Sequence, residues 1–107
     1  MYTEFTIVKP ADDENLWNVG GVVPVSLRLA PTLRPGNGLV FYLDDRRLDY
    51  VASTATDFEL KDVTRGTHLL VAVVHDERRT PLHEAAVTFH VQQAIAKPKP
   101  AQLPTKP

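Results

Sequence analysis

Apolar and polar residues alternate along most of this chain, and the alternation has the period of strands. Phe5 and Ile7 share one face of a first strand over residues 2–9, which Pro10 stops. Val23, Val25, Leu27 and Leu29 alternate with Pro24, Ser26, Arg28 and Ala30 in a second. Pro31, Pro35, Gly36 and Gly38 then break the chain. Residues 39–43 predict a third strand, apolar on both faces, with Asp44-Asp45 as its turn. Residues 48–53 predict a shorter return strand, and Phe58 and Leu60 mark a fifth. The sixth is an unbroken apolar run over residues 69–74, opened by a corner at Gly66 and closed by His75-Asp76-Glu77-Arg78-Arg79. In the seventh, Ala85, Val87, Phe89 and Val91 alternate with Glu84, Ala86, Thr88 and His90. Helical spacing is scarce. Residues 11–17 predict one helical turn, with Asp12 or Asp13 as its cap.

Seven short strands with turn signals roughly every 8–12 residues predict an all-β, Ig-like or fibronectin-III-like Greek-key sandwich. It should occupy residues 1–93. The Cys-Trp-Cys signature of antibody domains is absent, and Trp17 precedes the second strand. The expected core is Phe5, Ile7, Val25, Leu27, Leu39, Phe41, Leu43, Phe58, Leu60, Leu70, Ala72, Val74, Val87 and Phe89. In the sixth strand Leu69, Val71 and Val73 are as apolar as the even positions. We assign the even positions inward because His68 then faces the interior at the corner. The odd face would then suit another domain or subunit.

Composition bounds the reading. A net charge of −1 gives no bulk attraction for nucleic acid, so nucleic acid is not an expected partner. The absence of cysteine excludes disulfides and thiolate metal sites. No apolar run approaches a membrane span. Residues 94–107 carry Lys97, Lys99 and Lys106, no acid, and four prolines, which predicts a disordered, extended Pro/Lys-rich linker or tail. Such an ending predicts a piece of a longer protein.

A set of short matches follows the strand order: Ile7-x-x-Pro10-x-Asp12, Val23-x-Val25-x-Leu27, Leu43-Asp44, Gly66-x-His68-x-Leu70, Asp76, and Val87-x-Phe89-x-Val91. Together they resemble a bacterial Ig-like module over residues 5–92. The pattern resembles the C-terminal modules of some penicillin-binding proteins, and still more a domain of small proteobacterial envelope proteins. The resemblance implies a sandwich, a location in the periplasm or cell envelope, and no catalysis. Two turns depart from that pattern. Asp44-Asp45 stands where Asp-Gly is usual, and Arg78-Arg79 stands where the last hairpin usually has glycine.

Candidate chemistry is sparse. Gly66 and His68 predict a structural corner, with the imidazole bonded back to nearby backbone. His68 and His75 are seven apart and point to opposite faces of one strand. His75 with His83, and His68 with His90, could face each other across the last hairpin, but two histidines make an incomplete zinc site. Asp12-Asp13-Glu14 and Asp44-Asp45 with Asp49 could attract calcium but lack EF-hand spacing, and read as turn acids. Ser26 and Ser53 have no nucleophile motif, and Gly20-Gly21 and Gly36-x-Gly38 precede no helix. No cofactor is implied. Arg46, Arg47, Tyr50, Arg78 and Arg79, with Tyr42 nearby, form a possible binding surface for an anionic polymer. The leading expectation is a non-enzymatic, monomeric envelope module that binds a protein or cell-wall glycan, or spaces another domain. An accessory domain of a cell-wall enzyme and a small metal-binding protein are the alternatives.

Overall fold

The computed structural model describes residues 2–92, which form eight strands in two sheets, with no helix among the described residues. The strands are β1 (Glu4–Lys9), β2 (Glu14–Trp17), β3 (Val23–Ala30), β4 (Gly38–Leu43), β5 (Arg46–Arg47), β6 (Asp57–Leu60), β7 (Gly66–His75) and β8 (Pro81–Gln92). One sheet has the order β1-β3-β6 and the other β2-β8-β7-β4-β5. This is the expected all-β sandwich, with one strand more than the alternation shows.

The inner faces follow the period of two. Leu70, Ala72 and Val74 are fully buried, whereas Leu69 is 39% exposed, so the even face of β7 packs inward. Phe41 and Phe89 are also buried, and Phe41 meets Phe58 edge-on with ring centroids 4.7 Å apart, joining the two sheets. Of the expected core, Phe5, Leu43 and Phe58 are only partly buried against it. Tyr2, Val23, Val63 and Val91 belong to the core as well. Tyr2 ties the first strand to the loop before β4, because its hydroxyl accepts the Arg34 amide at 3.0 Å.

Two expected elements differ. Residues 11–17 hold no helical turn: the chain bends at Asp13 (φ 66) and enters β2, which runs parallel to the end of β8. The acids that could cap a helix instead serve β8. Asp12 Oδ1 accepts the Thr88 amide at 2.9 Å, and Asp13 accepts from His90. The strand over residues 48–53 is also absent. The return strand starts earlier, at Arg46, and pairs only as Tyr42↔Arg47 and Leu43↔Arg46. Leu48 and Val51 both turn inward, a spacing of three that suits a bend, and the chain then crosses to the other sheet. The tail over residues 94–107 lies outside the described residues.

Two hairpin turns explain the departures from glycine. Asp44 and Asp45 both have positive φ (51 and 68), the backbone of a type I′ turn. Aspartate tolerates this region better than most residues. In the last hairpin Arg79 takes φ 67, the position that glycine usually fills.

Candidate functional site

Strand β7 carries a histidine at each end, and the two meet different surroundings. At the Gly66 end, where φ is 129, the chain enters the strand and His68 turns into the sandwich. The ring is 9% exposed and lies 5.5 Å from the Phe89 ring. Its Nδ1 donates to Asp44 Oδ2 at 2.6 Å, and its Nε2 donates to the Thr64 carbonyl at 2.7 Å. Both partners are acceptors, an arrangement that suits the doubly protonated ring. Asp44 Oδ1 also accepts the Leu69 amide at 2.9 Å. Burial opposes the charge on His68, but the Asp44 and Thr64 bonds and the Asp44 charge outweigh it and raise the pKa. Burial likewise opposes the Asp44 carboxylate, and the His68 bond, the Leu69 amide and the His68 charge outweigh it, lowering that pKa. This corner is a closed lock between the β4–β5 turn and the entry to β7.

The other end of β7 is open. His75 lies on the outer face of the five-stranded sheet, against the backbone of Gly38: a Cβ built there would sit 2.7 Å from the imidazole Cε1. His75 Nδ1 donates to the Asp76 carbonyl at 2.9 Å, which leaves Nε2 as an acceptor in the neutral ring. Asp76 builds the turn beyond it, with Oδ1 accepting the Arg78 and Thr80 amides at 2.8 and 2.9 Å. The Thr80 and Arg78 amide bonds, together with the Arg78 charge, outweigh slight desolvation and lower the Asp76 pKa. Beside His75 is a cleft of about 210 Å³ that Arg47, Asp49, Ser53 and Arg79 also line. A shallower depression of about 130 Å³ adjoins it, floored by Val40 and Val73 and flanked by Tyr42. Arg47, His75 and Arg79 line both.

Of the basic surface read from the sequence, Arg47 and Arg79 converge on this cleft. Arg46, the neighbour of Arg47 on β5, pairs with Leu43 and points to the opposite face. Tyr50 is 60% exposed in the bend after β5, and Arg78 occupies the turn; neither lines the cleft. The Arg47 Nε lies 3.5 Å from Asp49 Oδ1, an exposed and therefore weak pair. Among the described residues Arg79 makes no ion pair.

The histidines do not pair across the last hairpin. His83 opposes Val74 and stacks edge-on to Tyr2 at 6.0 Å, while His75 opposes Pro81. His90 opposes Thr67, not His68. A bulge between Val74 and His75 shifts the register. The Thr67 hydroxyl donates to His90 Nδ1 at 2.9 Å, and His90 Nε2 donates to Asp13 Oδ1 at 2.6 Å. Among the described residues no three His, Asp or Glu side chains converge as a metal-binding set. No helix among them is long and apolar enough to cross a membrane.

No family model matches the chain, and no curated protein matches it. Solved structures do. The fibronectin(III)-like modules of Clostridium thermocellum CbhA superpose with a TM-score of 0.64 at 13% identity, over 86% of this chain and 100% of theirs. The PKD domain of human KIAA0319 gives 0.55 at 18% identity, over 88% of this chain and 86% of that one. The fold is Ig-like. SGBP-B of Bacteroides ovatus, solved with a mixed-linkage heptasaccharide, gives 0.61 at 12% identity. The match spans 94% of this chain but 27% of that one. At these identities the likeness is one of fold.

Proposed function

We propose that this chain is a non-enzymatic Ig-like module of a bacterial cell envelope, and that it binds cell-wall glycan through the outer face of its five-stranded sheet. One observation carries the reading. The sheet buries one face in the core and leaves the other with Val40, Tyr42, Val71 and Val73 half-open, rimmed by Arg47, His75 and Arg79. An apolar floor with an aromatic ring and a few fixed polar groups suits a sugar, whose rings have a C–H face and a hydroxyl edge. Trp17, 61% exposed, extends this face on β2 at the opposite edge. The saccharide complex of SGBP-B supports the reading by analogy of fold.

In SGBP-B this fold is one part of a longer chain, which suits a module of a larger protein; an accessory module of a cell-wall enzyme is the alternative. Sedimentation with purified peptidoglycan sacculi and with insoluble glucans tests the first. The chain should co-sediment, and Tyr42→Ala should release it. Failure to sediment with any glycan would reject glycan binding and leave the spacing role.

A further inference from the structure

Within the glycan-binding reading, we propose that the cleft between β5 and the β7–β8 turn takes a carboxylate-bearing sugar unit. Arg47 and Arg79 would hold the carboxylate, while Asp49, Ser53 and His75 take hydroxyls.

The first support is backbone conformation. Arg79 sits at φ 67, where a side chain is strained and glycine is not. The turn does not require arginine, since its bonds are the Arg79 amide to the Asp76 carbonyl at 3.0 Å and the two amides on Asp76 Oδ1. A non-glycine held in this region and lining a cleft points to a use for its side chain.

The second support is the donor set. Arg47 meets Asp49 through Nε alone, so the outer nitrogens of its fork remain for a ligand. Arg79 offers a second fork without an ion pair among the described residues. Two guanidiniums at one cleft on a chain of net charge −1 are a local attraction for an anion.

The third support decides between anions. Asp49 is 88% exposed at the cleft and would repel a bare anion, yet it can accept from a hydroxyl. His75, set against Gly38 and bonded through Nδ1 to the Asp76 carbonyl, also lines the cleft and has Nε2 free of a hydrogen bond within the described residues. A peptide brings its donors as single backbone amides spaced along the chain, whereas a sugar carries several hydroxyls on the ring that bears the carboxylate. A sugar acid supplies a carboxylate for the arginines and hydroxyls for Asp49 and His75, and its C–H face can lie on Tyr42.

Native gels containing polygalacturonate, dextran or polyglutamate test this with the full chain. Polygalacturonate should retard it most, and Arg79→Gly should weaken that retardation about tenfold, the loss expected of a charged hydrogen bond. Arg78→Ala, which removes the same charge one residue outside the cleft, should not. Arg47→Ala should weaken it similarly. The Tm of Arg79→Gly should equal or exceed that of the parent; a fall of several degrees would overturn the argument from strain. Retardation unaffected by Arg79→Gly would mean that the lysines of residues 94–107 hold the polyanion, and would overturn the site. Equal retardation by polyglutamate would overturn the sugar assignment. Binding to dextran without preference for polygalacturonate would overturn the carboxylate but leave the glycan reading. No retardation by either polysaccharide would overturn both.

Discussion

His68 and His75 stand on one strand, seven residues apart, and do opposite things. His68 points inward and has both nitrogens bonded, one to a carboxylate and one to a carbonyl. His75 points outward, spends one nitrogen on the Asp76 carbonyl, and lines a cleft. An odd separation on a strand guarantees opposite faces. The difference in chemistry then follows from what each face meets. The inner face must satisfy every polar group it buries, because an unmet one costs about 1–3 kcal/mol. The outer face is under no such demand and can keep unpaired donors for a partner.

The largest expected effect sharpens the contrast between faces. Leu70→Ala should lower stability by about 2–5 kcal/mol in urea unfolding, because it opens a cavity between the sheets. Leu69→Ala, on the open face, should cost under about 1 kcal/mol. Equal costs would remove the distinction between inside and outside.

Next is the lock itself. His68→Ala should cost about 1–3 kcal/mol, leaving the Thr64 carbonyl and the Asp44 carboxylate without their partner. His75→Ala should cost about 0.5 kcal/mol or less. If His75→Ala proves the costlier, the open end is part of the framework.

Arg79→Gly should raise stability by about 0.5–1 kcal/mol, since relief of the left-handed backbone exceeds the added freedom of the unfolded chain. Thermal melts of this variant beside Arg78→Gly, whose backbone needs no relief, isolate the effect of conformation.

The smallest effect is a pH dependence of the lock. The raised His68 pKa contributes stability that is complete below the ordinary histidine value of 6.5 and is lost as pH rises through the higher folded value. The lowered Asp44 pKa contributes stability that is complete above the ordinary aspartate value of 3.8 and is lost as pH falls through the lower folded value. Urea midpoints should therefore decline on both sides of the interval between 3.8 and 6.5. The alkaline decline should be shallower in His68→Gln. An unchanged alkaline slope in that variant would show that His68 is not held charged.

The sandwich is legible in the sequence because burial on one face of a strand enforces a period of two. Residues such as Val25, Leu27, Val87 and Phe89 therefore mark the core without any knowledge of pairing. The inward face of β7 is not marked by its own residues, since both faces are apolar, but it is marked by His68, whose polar ring needs partners at the corner. What stays hidden is long-range or conformational. Asp44 reads as a turn acid, and only the pairing of β4 with β7 brings it to His68. β2 is too short to show alternation, and its strand character comes wholly from β8. Arg47 and Arg79 read as separate turn charges, and their meeting depends on the bulge and turn geometry at the end of β7. The one signal available was arginine where a hairpin usually wants glycine.

The parallel pairing of β2 with β8 has a mechanical consequence. Tyr2 and Phe5 lie by His83, Glu14 pairs with Phe89, and Trp17 pairs with Gln92, so the first strands and the last run the same way. The polypeptide therefore enters at one end of the sandwich and leaves at the other. Tension applied at Tyr2 and Gln92 would load the β2–β8 hydrogen bonds lengthwise, so that they give way together rather than peeling one at a time. Under force, resistance is set by the barrier to unfolding and not by equilibrium stability. A module built this way can carry load along its axis while its open sheet face stays turned sideways to the pull.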